Sequence, residues 1–188
     1  MRIAVSGPPG SGKTTVSEIV ANRLGYKLVL VGQVFRQMAE ERKVSLDTFG
    51  RYAEEDETID KELDSRMIAI ARGEDDIVIE GRLAGALMRR GDIEAFTVNV
   101  DAAEDVRCLR IAKRENKPVD QVQREIRVRE RSENKRYIAY YGIDVSNKMI
   151  YDLWIDSSGR SAEEVADAIV DEVRKRLDDE GPEGEGQA

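Results

Sequence analysis

Apolar residues fall along the chain in two alternating patterns, short runs and longer stretches with helical spacing. The runs are Ile3-Ala4-Val5, Lys27 to Val31, Asp76 to Glu80, Ala95 to Val100 and Tyr151 to Asp156, and each reads as a buried strand. Between them lie segments of 3.6-residue period. Val16 to Leu24 is one; Gln33 to Arg42, with Val34, Phe35, Met38 and Ala39, is another; and Thr58 to Arg72 carries Ile59, Leu63, Met67, Ile70 and Ala71 on one side. Ser45 caps a short helix expected to end at Gly50, and Gly32 is expected to break the chain after the second strand. Charged helix follows from Ala103 to Glu115. Pro118 marks a break, a long helix spans Val119 to about Tyr141, and Ser161 caps a last helix reaching Leu177. Strands alternating with helices predict a parallel sheet with helices on both faces, an α/β fold. Its ligands are expected beyond the carboxyl ends of the strands, where the chain near Gly7, Gly32 and Gly81 lines one cleft.

The first strand runs into Gly7-Pro8-Pro9-Gly10-Ser11-Gly12-Lys13-Thr14-Thr15, which satisfies G-x-x-x-x-G-K-[ST] between a strand and a helix. Such a loop turns backbone N–H groups inward around phosphate oxygens, and the helix N-terminus adds partial positive charge. Lys13 then reaches the β- and γ-phosphates, and the Thr14 hydroxyl can ligate Mg²⁺. The chain is expected to bind a nucleoside triphosphate.

Composition narrows the chemistry. The 188 residues include no histidine, which removes His-based nucleophile schemes and most zinc sites but costs phosphoryl transfer little. Cys108 is the only cysteine, so no intrachain disulfide forms and a reducing cytoplasm fits. No apolar run approaches a membrane span, and the N-terminus has no signal-peptide pattern. The net charge of −8 argues against a nucleic-acid-binding surface. Charge is unevenly spread, however. Between Arg107 and Arg136 there are eleven Lys and Arg against five Asp and Glu, a net +6, so the remainder carries −14. Arg107, Arg110 and Arg114 share one helix face, where like charges repel unless an anion offsets them. Arg129, Glu133 and Arg136 share another. One domain over 1–178 is expected, followed by a disordered acidic tail at 179–188.

The loop, together with Gly32-Gln33-Val34-Phe35-Arg36 and Glu80-Gly81-Arg82, resembles the nucleoside monophosphate kinase family over Met1 to about Trp154. Glu80 to Gly85, Phe49-Gly50-Arg51-Tyr52-Ala53-Glu54, Arg136-Tyr137 and Tyr141-Gly142-Ile143-Asp144 bring it nearest to archaeal-type cytidylate kinases. The resemblance implies the P-loop kinase fold, a helical acceptor-binding part at about 33–72 and a short lid at about 116–128. It implies transfer of the γ-phosphoryl group of ATP to CMP or dCMP, with Mg²⁺ as cofactor. It further implies that Arg36 and Arg82 grip the acceptor phosphate and that Glu80 orients Mg²⁺ through water. Many relatives carry Asp at the Glu80 position. Arg110 is implied at the adenine and Arg114 at the phosphates, while Arg129 and Arg136 close on the transferred group beside Lys13. For Glu133 two readings stay open, an acceptor-sugar contact and a helix ion pair with Arg129. Arg51, Asp56, Asp60 and Asp64 are candidates for contact with the acceptor base, since cytosine offers an amino donor that a carboxylate accepts. The expected protein is a cytoplasmic monomer binding ATP and a pyrimidine nucleoside monophosphate, and neither nucleic acid nor membrane.

An adenylate kinase is the alternative within the class. A P-loop switch is the alternative outside it, but Asn147-Lys148-Met149-Ile150 has Ile where a guanine-reading N-K-x-D motif needs Asp. A non-enzymatic scaffold would leave the coexistence of Lys13, Thr14, Glu80 and the arginine set without a reason.

Overall fold

In the computed structural model, which describes residues 1–179, the five apolar runs form one parallel sheet. Its strands are β1 (Arg2–Ser6), β2 (Lys27–Leu30), β3 (Ile77–Glu80), β4 (Phe96–Asp101) and β5 (Leu153–Asp156), in the order β2-β3-β1-β4-β5. The helices are α1 (Lys13–Leu24), α2 (Val31–Glu41), α3 (Leu46–Glu55), α4 (Glu57–Gly73), α5 (Ala84–Arg90), α6 (Glu104–Glu115), α7 (Val119–Tyr141) and α8 (Ala162–Asp179). Among the described residues, no helix is long and apolar enough to cross a membrane.

Alternation in β1 splits the core. Ile3 and Val5 point to the face covered by α1 and α8, where Val16, Val20, Ile169 and Val173 pack on them. Ala4 points the other way, toward Met67 and Ala71 of α4, Leu87 and Met88 of α5 and Tyr137 of α7. Each such fully buried Val, Ile, Leu or Met contributes about 1.5–3 kcal/mol. Two smaller cores stand off the sheet. Met38, Ala39, Phe49, Ala53 and Ile59 tie α2, α3 and α4 together. Cys108, Ile111, Ala112, Val122 and Ile126 zip α6 to α7 as an antiparallel hairpin.

Several boundaries depart from the sequence reading. Gly32 does not break the chain; α2 begins at Val31, directly after β2, and holds Gly32 in its first turn. Nor does α3 stop at Gly50. It continues to Glu55 because Phe49 and Ala53, four residues apart, both bury in the α2–α4 core. Helix α5 and a 3₁₀ turn at Lys148–Ile150 were not anticipated. The 116–128 segment, expected as a lid, spans the end of α6 and the start of α7. Asn116, at φ 52°, ends α6, and after Lys117 and Pro118 α7 begins. The last helix extends to Asp179, one residue into the stretch read as tail; residues 180–188 lie outside the described residues.

Candidate active site

The carboxyl ends of β1, β2 and β3 open into a cleft of about 1650 Å³, walled by α2, α3 and α4 on one side and by α6 and α7 on the other. Two glycines let the loop after β1 curl at its floor. Gly7 has φ +151°, and a Cβ there would sit 2.1 Å from the Val100 carbonyl oxygen. Gly10, at φ +81°, lies so close to α6 that a Cβ would meet the Arg107 carbonyl oxygen at 2.7 Å. Lys13 then opens α1. Its ammonium donates to the Pro8 carbonyl at 3.3 Å and lies 3.8 Å from Glu80. Burial holds Lys13 below its ordinary pKa; Glu80 opposes this, while the Arg82 and Arg129 charges add to it. A phosphate placed here would relieve that crowding of cations.

Glu80 reaches the cleft because it is the last residue of β3, paired in register with Val5 of β1. It accepts a 3.0 Å hydrogen bond from the Thr14 hydroxyl. A hydroxyl and a carboxylate side by side are hard oxygen donors of the kind Mg²⁺ takes. Among the described residues no group of three or more His, Cys, Asp and Glu could hold a metal. A cation at Thr14 and Glu80 would thus depend on phosphate oxygens and water for its other ligands, as Mg²⁺ commonly does.

Glu133 organises the α7 side. It is buried, and its two carboxylate oxygens each accept one bond of 2.7 Å, from Arg82 Nε and from Arg129 Nε. Burial pushes its pKa up, but the two guanidinium groups more than offset this and hold it below the ordinary value. The helix pair foreseen with Arg129 is present, and it is half of a three-residue bridge. Because both contacts use Nε, neither arginine spends its terminal nitrogens on Glu133. Arg136, one turn further on, places Nη1 on both oxygens of Asp60 at 3.0 and 3.2 Å, while its buried Nε has no partner among the described residues. Asp64 lies one turn beyond Asp60 on α4 and accepts from the Tyr141 hydroxyl. Burial raises its pKa to about 6.

The three arginines spaced along α6 do not form the single anion-seeking face that their spacing suggested. Arg107 is buried, does not line the cleft, and bonds to protein: the Pro9 carbonyl at 3.1 Å and Glu130 at 2.7 Å. Arg110 lines the cleft and donates to the carbonyls of Ser11, at 3.2 Å, and Ser157, at 2.7 Å. Arg114 also lines it but is largely exposed, paired with Glu115. Like-charge repulsion is thus offset within the protein, by loop carbonyls and by the carboxylates of Glu130 and Glu115.

Of the other predicted residues, Pro9 to Thr15, Arg36, Arg51 and Arg82 line the same cleft, whereas Gly7 and Pro8 do not. Arg36 is exposed and has no ion-pair partner among the described residues. Asp56 is not at the cleft; its carboxylate caps α4 by accepting from the Thr58 amide. Sequence reasoning missed Ser157, which carries Arg110, and Tyr141, whose hydroxyl only the folded position of Asp64 makes meaningful.

A sequence profile described as the cytidylate kinase-like family matches residues 2–159. The chain belongs to that family. Among curated relatives, cytidylate kinase of Archaeoglobus fulgidus is 43% identical over 92% of this chain and 94% of its own length. That of Halobacterium salinarum is 42% identical over 97% and 95%, and that of Pyrococcus horikoshii 44% identical over 97% and 92%. Solved structures of lower identity share the fold. An uncharacterised protein from Eubacterium ventriosum superposes with a TM-score of 0.72 at 15% identity, over 93% of this chain and 98% of that one. Shikimate kinase from Acinetobacter baumannii, in complex with shikimate, gives 0.62 at 14% identity over 93% of each chain. Members of the cytidylate kinase-like family therefore need not resemble these structures in sequence to share the P-loop kinase architecture seen here.

Proposed function

We propose that this protein is an ATP-dependent cytidylate kinase, transferring the γ-phosphoryl group of ATP to CMP or dCMP to give ADP and CDP or dCDP. The observation that carries the reading is the pairing, across one cleft, of a phosphate loop with an arginine set held by Glu133 and Asp60. In this reading residues 1–178 form one catalytic unit, with the acceptor bound by the 33–72 region and a lid at about 116–128 that closes over ATP. It acts as a monomer, and in the cytoplasm, whose reducing conditions suit a free cysteine such as Cys108.

ATP lays its phosphates in the loop from Gly7 to Thr15, with Lys13 at the β- and γ-oxygens and Arg110 at the adenine side. Thr14 directly, and Glu80 through water, would hold Mg²⁺, which when bound neutralises charge on the phosphates. Arg36 and Arg82 take the acceptor phosphate; a guanidinium fork binds a dianion through two bonds and cannot lose its charge. That phosphate oxygen is already a nucleophile at neutral pH, so no general base is needed. Charge in the loose transition state spreads over three oxygens, which the terminal nitrogens of Arg114, Arg129 and Arg136 can meet together. Glu133 holds Arg82 and Arg129 at a common carboxylate and would accept from the acceptor sugar as well. Arg51, Asp60 and Asp64 border the far end of the cleft, where a carboxylate suits the cytosine amino group.

A coupled assay of ADP formation with CMP, dCMP, UMP, AMP and GMP tests the proposal. The expected order puts CMP or dCMP first; a clear preference for AMP, GMP or UMP refutes it. Lys13→Ala should abolish turnover while circular dichroism stays that of the parent protein.

A further inference from the structure

The Arg107 guanidinium joins three elements. Its Nη1 donates to the Pro9 carbonyl in the phosphate loop at 3.1 Å and to Glu130 on α7 at 2.7 Å, while Nε donates to the Ala102 carbonyl before α6 at 3.1 Å. It is only 7% exposed. In a trans peptide the carbonyl and the following N–H point in opposite directions. Fixing the Pro9 carbonyl outward on Arg107 thus aims the Gly10 N–H inward, toward the space where the loop curls around phosphate. The close approach of Gly10 to the Arg107 backbone leaves the loop little room to shift away. On its other side Arg107 grips Glu130, which lies between Arg129 and Glu133 in the α7 sequence.

We propose that Arg107 is a positioning residue: it fixes the phosphate loop relative to α7 and so sets the gap that the transferred group must cross. This rests on the kinase reading above. A buried guanidinium is a costly way to fill space, since apolar residues of like volume usually serve stability as well or better. What it adds here is directionality at three points, and catalysis is sensitive to such placement: misplacement by about 1 Å can cost a hundredfold in rate.

Arg107→Lys keeps the charge but offers one compact ammonium in place of a fork. Assayed well below its unfolding temperature, this variant is expected to lose tenfold or more in kcat, with the KM of both nucleotides within threefold of the parent values. Glu130→Gln, at a partly exposed site that should fold without difficulty, is expected to lose kcat in the same pattern to a smaller extent. The double variant should be no worse than Arg107→Lys alone. Hydrogen exchange of the Gly10–Lys13 amides with ADP bound supplies a readout independent of turnover, and protection there should fall in Arg107→Lys. Unchanged kcat in both variants, or lost kcat with full loop protection, overturns the proposal. If the parent protein phosphorylates no nucleoside monophosphate, the kinase reading fails, and the exchange experiment still decides the role of Arg107.

Discussion

Asp64 stands on α4 with its carboxylate nearly out of water and the Tyr141 hydroxyl donating to it. Burial raises its pKa from 3.8 to about 6; the Tyr141 bond and Arg136 work against burial, and the Asp60 charge works with it. The folded protein therefore holds the Asp64 proton more tightly than the unfolded chain does. Below pH 3.8 both states are protonated and there is no cost. Between 3.8 and about 6 the unfolded state ionises first, so the folded state loses relative stability; above about 6 the penalty is constant. At about 1.4 kcal/mol per pH unit the full penalty is about 3 kcal/mol, an upper figure because the site retains some contact with solvent. Asparagine keeps an acceptor oxygen for Tyr141 but carries no charge. Asp64→Asn is thus expected to stabilise the protein by about 1–3 kcal/mol at pH 7.5 and by roughly half as much at pH 5.

Urea unfolding of parent and variant at the two pH values measures the gap. An equal gap at both, or a variant less stable than the parent at pH 7.5, refutes the reasoning. A carboxylate kept at such a cost in a cleft marks a functional candidate. In the proposed kinase, the same variant should lose preference for CMP over UMP, because an amide can turn its NH₂ toward the uracil carbonyl.

Arg36→Ala should raise the acceptor KM ten- to a hundredfold, the worth of a charge-assisted bidentate contact, and leave the ATP KM within twofold; steady-state kinetics with each substrate varied would refute this if both rose equally. Gly10→Ala places a methyl group in a left-handed conformation and 2.7 Å from the Arg107 carbonyl oxygen. It should cost about 2–4 kcal/mol in thermal or urea unfolding and weaken ADP binding, and a stable variant with parental affinity would contradict the loop geometry. Hydrogen exchange with and without a bisubstrate analogue should show added protection over 116–128, and its absence would remove the lid.

The sheet was readable because its strands are short, almost wholly apolar runs between helices of clear period, and the boundaries of α7 were found because Pro118 precedes it and Gly142 follows it. Helix α5 escaped for the opposite reason. Ala84 to Met88 is buried throughout, so it has no polar face and no period to detect. Gly50 misled because a glycine signals a helix end only when the next turn has nothing to bury, and here Ala53 does. Spacing also put Arg107, Arg110 and Arg114 on one face without revealing their different fates, since partners of the first two, Pro9 and Ser11, come from a loop about a hundred residues away in sequence. Local pattern fixes which way a side chain leaves its helix; what it meets is a property of the packed fold.

The same limit explains the two open readings of Glu133 and why they need not compete. A lone pair with Arg129 on an exposed helix would contribute only tenths of a kcal/mol. Adding Arg82, from the end of β3, buries the carboxylate and turns the pair into a bridge between the sheet and α7. Such a bridge would hinder a kinase if Glu133 occupied the terminal nitrogens, because the phosphates would then have to displace it. It accepts from Nε on both arginines instead. The forks are oriented by the carboxylate while their outer nitrogens stay available to substrate oxygens. Arg136 reverses the arrangement with Asp60, spending one terminal nitrogen and leaving a buried Nε without a partner among the described residues. Arg36 alone among the proposed phosphate ligands has no carboxylate on it among the described residues, which makes it the least hindered first contact for an arriving acceptor phosphate.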